Sequence, residues 1–220
     1  MGQTKNNNAI KKTCWFLIPF AIWVIALAIA LLSYSKGTLH LALNEHHTPF
    51  LDIFFKYYTE VGACIPYIIV AALLFYQYKA ALLVLIGQLL PGLLTQIGKH
   101  IWNEPRPLVF FSEHMPNIVL PQVEGVHLHH YHSFPSGHTT AAFALFMTLC
   151  LLTDKKPLHF IYFILAALGG YSRIYLSQHF AIDVFAGSII GVTGALLAGY
   201  LVNKIQANWA NQSLRTLFKN

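Results

Sequence analysis

Six stretches of this chain are apolar for about twenty residues each, the length a helix needs to cross a hydrocarbon core of roughly 30 Å. They cover residues 13–34, 62–78, 80–102, 136–153, 157–178 and 180–202. Six such runs in 220 residues leave little chain for anything else, and the composition agrees. Hydrophobic residues make up 56% and charged residues 10%, with a mean hydropathy of +0.54. A soluble domain carries about 25% charged residues, so no water-facing surface can be built from this inventory. The reading is all-α: a polytopic bundle of six transmembrane helices. A soluble enzyme, a disordered tail and a disulfide-stapled secreted module are excluded. The three cysteines, Cys14, Cys64 and Cys150, sit in apolar runs and read as small core residues.

Lysine and arginine placement sets the expected sidedness. With the N-terminus inside, the inner segments hold Lys5, Lys11, Lys12, Lys79, Lys155, Lys156, Lys204, Arg215 and Lys219. The outer segments hold Lys36, Lys56, Lys99, Arg106 and Arg173, together with every acidic residue except Asp154. The net charge of +6 is thus a basic inner rim, and it needs no nucleic acid to explain it. The first run is longer than a signal-peptide core of about 7–15 residues and lacks a small-residue cleavage site, so it reads as a retained anchor. The layout expected is a cytoplasmic tail over residues 1–12, a six-helix domain over 13–203 and a second cytoplasmic tail over 204–220.

Two outer connections are long. Residues 35–61 contain Pro49-Phe50-Leu51-Asp52-Ile53-Phe54-Phe55, too apolar for a solvated loop and too short to span, which predicts one interfacial or re-entrant helix. Residues 103–135 are rich in Pro and His, and a connection of that length is usually functional. Within it Pro105-Arg106-Pro107 predicts a stiff, extended, non-helical segment. Asn6-Asn7-Asn8 is expected to be unstructured.

Three polar clusters then fall on one side of the bilayer. Lys99 precedes Arg106-Pro107 by six residues, giving a point charge and a planar fork that suit phosphate oxygens; alone, the pair could be cations snorkelling at a helix end. Pro135-Ser136-Gly137-His138 opens the fourth run, with Ser136 as N-cap, Gly137 allowing close approach to the backbone, and the helix amides aimed at an anion. Plain capping is the competing account. Ser172-Arg173 is followed by His179 and, one turn on, by Asp183. A carboxylate at that spacing can fix an imidazole tautomer, and an Asp on a transmembrane helix is costly enough to suggest function. No serine or thiol has a neighbouring base and no carboxylate pair suits glycoside chemistry. The inventory fits phosphoryl transfer, with cations on the non-bridging oxygens, one His attacking and the other protonating the leaving group.

These three elements, in this order and spacing, resemble the signature of the type 2 phosphatidic acid phosphatase (PAP2) superfamily. The likeness runs from Lys99 to Asp183, and the six-helix layout extends it over most of the chain. The resemblance implies a phosphatase with no metal and no cofactor. It makes His179 the nucleophile that forms a phosphohistidine, Asp183 its orienting group and His138 the general acid and base. Lys99, Arg106, Ser136, Gly137 and Arg173 would cradle the phosphate. The substrates it implies are membrane lipid phosphates: phosphatidylglycerophosphate, polyprenyl pyrophosphate, phosphatidate or the phosphates of lipid A. The expected place is a bacterial inner membrane, with the site on the periplasmic side.

Two other functions compete: a phosphotransferase using the same intermediate, and a transporter whose polar groups line a path. The polar groups gather at one face and do not cross the midplane, which disfavours transport. His127, His129, His130 and His132 form a dense group that could bind metal, but without cysteines or helical spacing they read better as contacts to phosphate or head-group charge. Gly187, Gly191, Ala195 and Gly199 form a small-residue stripe for close helix packing, within one chain or between two. The oligomeric state is left open.

Overall fold

The computed structural model describes residues 2–217, with side chains from 12 to 216. Lys5, Lys11 and Lys219 of the expected inner rim therefore fall outside the described side chains. The chain is helical, with no strand among the described residues: α1 (Gly2–Ser33), α2 (Lys36–Asn44), α3 (Pro49–Tyr58), α4 (Ile65–Leu74), α5 (Tyr78–Trp102), α6 (Pro107–His114), α7 (Gly137–Leu152), α8 (Lys156–Tyr175), α9 (Ala181–Asn203) and α10 (Leu214–Leu217). Asn6-Asn7-Asn8, expected to be unstructured, lies within α1.

Among the described residues three helical stretches are long and apolar enough to cross a membrane: Lys12–Ser33, Tyr78–His114 and Ala181–Asn203. A fourth is counted if the pair Pro49–Gly62 and Ile65–Leu74, bent by 51°, is one span. The run expected over 62–78 forms a helix only from Ile65 to Leu74, because Pro66 starts it and the chain before it winds into a 3-10 turn, Thr59–Gly62. The first outer connection holds two helices, α2 and α3, where one was expected. Ser35 and Thr48 cap them by accepting from the amides of Thr38 and Leu51. In the second connection Arg106 is extended, but Pro107 is not: it opens α6, since a proline is pre-organised for the first helical position.

Helix α7 is the axis of the bundle and packs against α9, α5 and α8. Its Phe143, Leu145 and Met147 are fully buried, and Trp23 and Phe20 of α1 lie against Phe143 at ring separations of 5.1 and 5.6 Å. The stripe on α9 packs within this chain. A Cβ at Gly187 would stand 2.6 Å from the Ser136 carbonyl oxygen, and one at Gly191 2.4 Å from that of Thr140, so only glycine permits this approach. On the outside, Ile18, Ile22, Ile25 and Ile29 of α1 and Leu89, Leu93 and Ile97 of α5 are exposed in ridges that water would penalise and lipid would not.

Polar contacts distinguish the two ends. At one, Lys12 pairs with Asp154 at 2.7 Å and Lys79 donates to the Ile205 carbonyl at 3.2 Å. These are residues the charge pattern assigned to a common side. At the other, Lys36 meets Glu104 at 3.5 Å, beside the starts of α7 and α9 and the ends of α5 and α8.

Candidate active site

The short turn from α8 to α9 builds the centre of the site. Arg173 lies near the C-terminus of α8, and its carbonyl accepts from the amides of Gln178 at 2.9 Å and His179 at 3.1 Å. Ser177 takes a positive φ of 49° to close that turn. The chain is thereby folded back so that His179 stands two residues before α9, next to its N-cap Phe180, with Asp183 in the first turn. His179 Nδ1 lies 3.3 Å from Asp183 Oδ2, and both side chains are 1% exposed. The carboxylate accepts from that nitrogen, which leaves Nε2 as the ring's free lone pair. The same Oδ2 accepts from the Phe180 amide at 2.9 Å and from Ser133 Oγ at 2.5 Å.

The start of α7 meets the start of α9. Ser136 caps α7, its Oγ accepting from the Thr139 amide at 3.4 Å, and its own amide donates to the Asp183 carbonyl at 3.1 Å. Gly137 and His138 follow in the first turn. Behind His138 lies the 3-10 turn: a Cβ at Gly62 would stand 2.2 Å from the His138 carbonyl oxygen, so the two backbones are in direct contact.

Three cations surround this junction. A Cβ at Gly137 would lie 3.7 Å from Lys99 Nζ, so a side chain there would intrude on the space between the α7 N-terminus and the ammonium. Arg106 is buried and held on two sides, its Nε donating to the Tyr131 carbonyl at 2.9 Å and its Nη1 to Gln178 Oε1 at 3.0 Å. Arg173, 5% exposed, donates from Nη1 to Thr59 Oγ1 at 2.6 Å, while its buried Nε has no hydrogen-bond partner among the described residues. A buried guanidinium with an unsatisfied donor is the arrangement an incoming anion completes. All eight residues singled out from the sequence thus lie at one end of the bundle, around the α7–α9 junction.

A cavity of about 240 Å³ opens beside them, sharing Lys99 and Arg106 and reaching His129 and His132. The His129 imidazole is held below its ordinary range by burial and then by the charges of Arg106, His127, Arg173 and Lys99. Among the described residues no group of three or more His, Cys, Asp or Glu side chains is disposed to hold a metal. Three contributors have no sequence signal of their own. Ser133 is one loop serine among several, Gln178 gains meaning only from its contact with Arg106, and Thr59 lies 114 positions from Arg173.

Comparisons with known proteins place the chain among membrane phosphatases of one superfamily. A bacitracin transport permease protein BcrC of Bacillus licheniformis is 33% identical over 95 residues, covering 43% of this chain and 46% of that protein. An undecaprenyl-diphosphatase BcrC of Bacillus subtilis (strain 168) is 28% identical over 162 residues, covering 71% of this chain and 76% of that protein. The crystal structure of Aquifex aeolicus LpxE superposes with a TM-score of 0.62 at 28% identity, covering 79% of this chain and 98% of that one. With these relatives and its apolar helices, the chain is a multi-pass membrane protein. The PAP2 superfamily model matches residues 80–207, more than half the length and the whole of the stretch that carries the three clusters, and the chain belongs to that superfamily.

Proposed function

We propose that this protein is a lipid phosphate phosphatase that works through a phosphohistidine on His179 and needs no metal or cofactor. Supporting the reading is one observation above the rest: a buried His–Asp pair beside a buried arginine whose Nε has no hydrogen-bond partner among the described residues. His179 Nε2 attacks phosphorus while the bond to the lipid oxygen breaks, and His138 delivers the proton that the departing oxygen takes up. His138 then accepts a proton from water as that water displaces His179, releasing inorganic phosphate. Lys99, Arg106, Arg173, the Ser136 hydroxyl and the Gly137 amide hold the non-bridging oxygens, on which charge is concentrated throughout.

The substrate we favour is a polyprenyl diphosphate, because the B. subtilis relative, matched over most of both chains, is an undecaprenyl-diphosphatase. The layout proposed with it is six spans over residues 13–203, α3 at the interface, tails 1–12 and 204–220 in the cytoplasm, and the site at the periplasmic face of a bacterial inner membrane. Transport, the reading the permease name of the B. licheniformis relative would favour, is opposed by the gathering of the buried charged groups, Arg106, Arg173 and Asp183, at one bundle end.

The test is phosphate release by purified protein from polyprenyl diphosphate, phosphatidylglycerophosphate, phosphatidate and lipid A, with and without EDTA and vanadate. Turnover that survives EDTA, is inhibited by vanadate and vanishes in a folded His179→Ala variant is the expected result. Undiminished turnover in that variant would remove His179 as nucleophile, and loss on chelation would point to a metallohydrolase. Transfer to a second lipid in place of water would make the protein a phosphotransferase.

A further inference from the structure

The cavity beside the catalytic cluster is lined by Gln96, Lys99, His100, Arg106, His129 and His132, with Tyr131 closing one side. Neither His138 nor His179 lines it, nor does any carboxylate. Its volume of about 240 Å³ is far larger than the roughly 30 Å³ share of one water. Its wall is made of donors and cations, a lining that suits an anionic group.

Two of its imidazoles are oriented by the backbone. His100 Nδ1 donates to the Gln96 carbonyl at 2.8 Å, and His132 Nδ1 donates to the Lys99 carbonyl at 3.2 Å. A carbonyl can only accept, so each Nδ1 carries its proton, and each Nε2 can meet a phosphate oxygen as the second N–H donor of the imidazolium form. The two rings stand 6.0 Å apart. His132 is held at a φ of 59°, a left-handed conformation that costs a non-glycine residue roughly 1 kcal/mol and is found preferentially at ligand clamps. Lys99 and Arg106 belong both to this cavity and to the cation set around Gly137 and Gln178. Whatever occupies the cavity therefore sits next to the reacting phosphate, across a shared pair of cations.

We propose that this cavity is a second phosphoryl subsite, in which His100, His129 and His132 bind the non-reacting phosphate of a lipid diphosphate and so set a preference for diphosphate over monophosphate. The proposal rests on the phosphatase reading above for its reaction, but the subsite itself can be tested without turnover. The terminal phosphate is the one attacked at His179, and the inner phosphate, which leaves with the lipid, lies against Lys99, Arg106 and the three imidazoles. His100, His129 and His132 are all exposed, so none of the three fills the packed core of the bundle.

The experiment compares the full chain with the triple variant His100→Ala, His129→Ala, His132→Ala. Kinetics on a polyprenyl diphosphate and on the matching monophosphate should show the ratio of kcat/KM falling about tenfold in the variant, chiefly through KM on the diphosphate, the size of one lost charge-assisted hydrogen bond. Separately, in the His179→Ala background, inorganic pyrophosphate should raise the Tm more than inorganic phosphate does, and the triple variant should erase the difference. An unchanged ratio, or an equal fall on both lipids, overturns the subsite. So does equal stabilisation by pyrophosphate and phosphate. Inhibition by free phosphate that disappears in the variant while the diphosphate ratio stands would assign the cavity to the released product, which also overturns it. A protein that hydrolyses neither lipid yet keeps its pyrophosphate preference would sink the phosphatase reading and leave the subsite standing.

Discussion

Ser133 and His179 share one oxygen: the Oδ2 of Asp183 accepts from the serine hydroxyl at 2.5 Å and faces the imidazole Nδ1 at 3.3 Å. The hydroxyl and the Phe180 amide fix the carboxylate, and the carboxylate fixes the ring. Ser133→Ala removes a hydrogen bond to a charged acceptor and should lower kcat about tenfold with little change in KM. Steady-state kinetics check it, and an unchanged kcat would show that the amide alone positions Asp183.

Asp183→Asn keeps the shape of that contact but not its charge. The amide can present its NH2 group to the ring, favouring the tautomer with its proton on Nε2, and it cannot stabilise a cationic imidazole. In the Ser-His-Asp triad the equivalent change costs about 10⁴-fold, and a loss of roughly that size in single-turnover rate is expected here. A loss under tenfold would mean that His179 does not depend on Asp183 for its tautomer.

Thr59 is the hydroxyl that receives Arg173, at 2.6 Å and across 114 positions of sequence. Thr59→Val leaves a second unpartnered donor on a buried guanidinium, because Nε already has no partner among the described residues. The expected outcome is a rise of about tenfold in KM, with Thr59→Ser restoring it. Equal behaviour of the two variants would remove the hydroxyl from the account.

Gly62 rests on the backbone of His138. Gly62→Ala would drive a methyl to 2.2 Å from a carbonyl oxygen, so one backbone must shift. A destabilisation of about 1–3 kcal/mol is expected, the usual cost of overpacking, together with reduced turnover. Thermal melts and activity of the detergent-solubilised protein test this.

Stability should also depend on pH through His40, on α2. This side chain is fully buried against Phe111 and Phe180, and burial lowers its pKa to about 4 against a partial offset from the Asp183 carboxylate. The unfolded chain binds that proton near pH 6.5 and the folded chain does not. Its contribution is therefore fully present above pH 6.5 and is lost as pH falls from there to 4, by about 3 kcal/mol at most. His40→Gln should flatten the fall in Tm across that window.

The sequence revealed the parts of the site that are local. His179 and Asp183 one turn apart, Ser136 capping α7 and Arg173 just before the turn are relationships of spacing, and spacing is read directly from the chain. Helix α6 is hidden in the sequence because Pro105-Arg106-Pro107 predicts an extended segment, whereas Pro107 at a first helical position starts a helix. In the first outer connection the apolar run from Pro49 to Phe55 predicts α3, whereas α2, with its mixed polar and apolar sequence, has no such run to announce it. Ser133, Gln178 and Thr59 stayed hidden for a different reason. Their roles arise from contacts across 50, 72 and 114 residues, which no local pattern encodes. The glycine stripe showed that something came close, and only the fold shows that it is the Ser136 and Thr140 carbonyls.

That contact has a mechanical outcome. Where helices meet through side chains, their separation can drift by a rotamer change or a methyl group. Here Gly187 and Gly191 set main chain against main chain, so α7 and α9 have no compressible layer between them. The His138 imidazole, on α7, and the His179 imidazole, just ahead of α9, are consequently mounted on one stiff frame, and any motion that admits a lipid must come from α2, α3 and the loops around them, with the paired helices as the anvil.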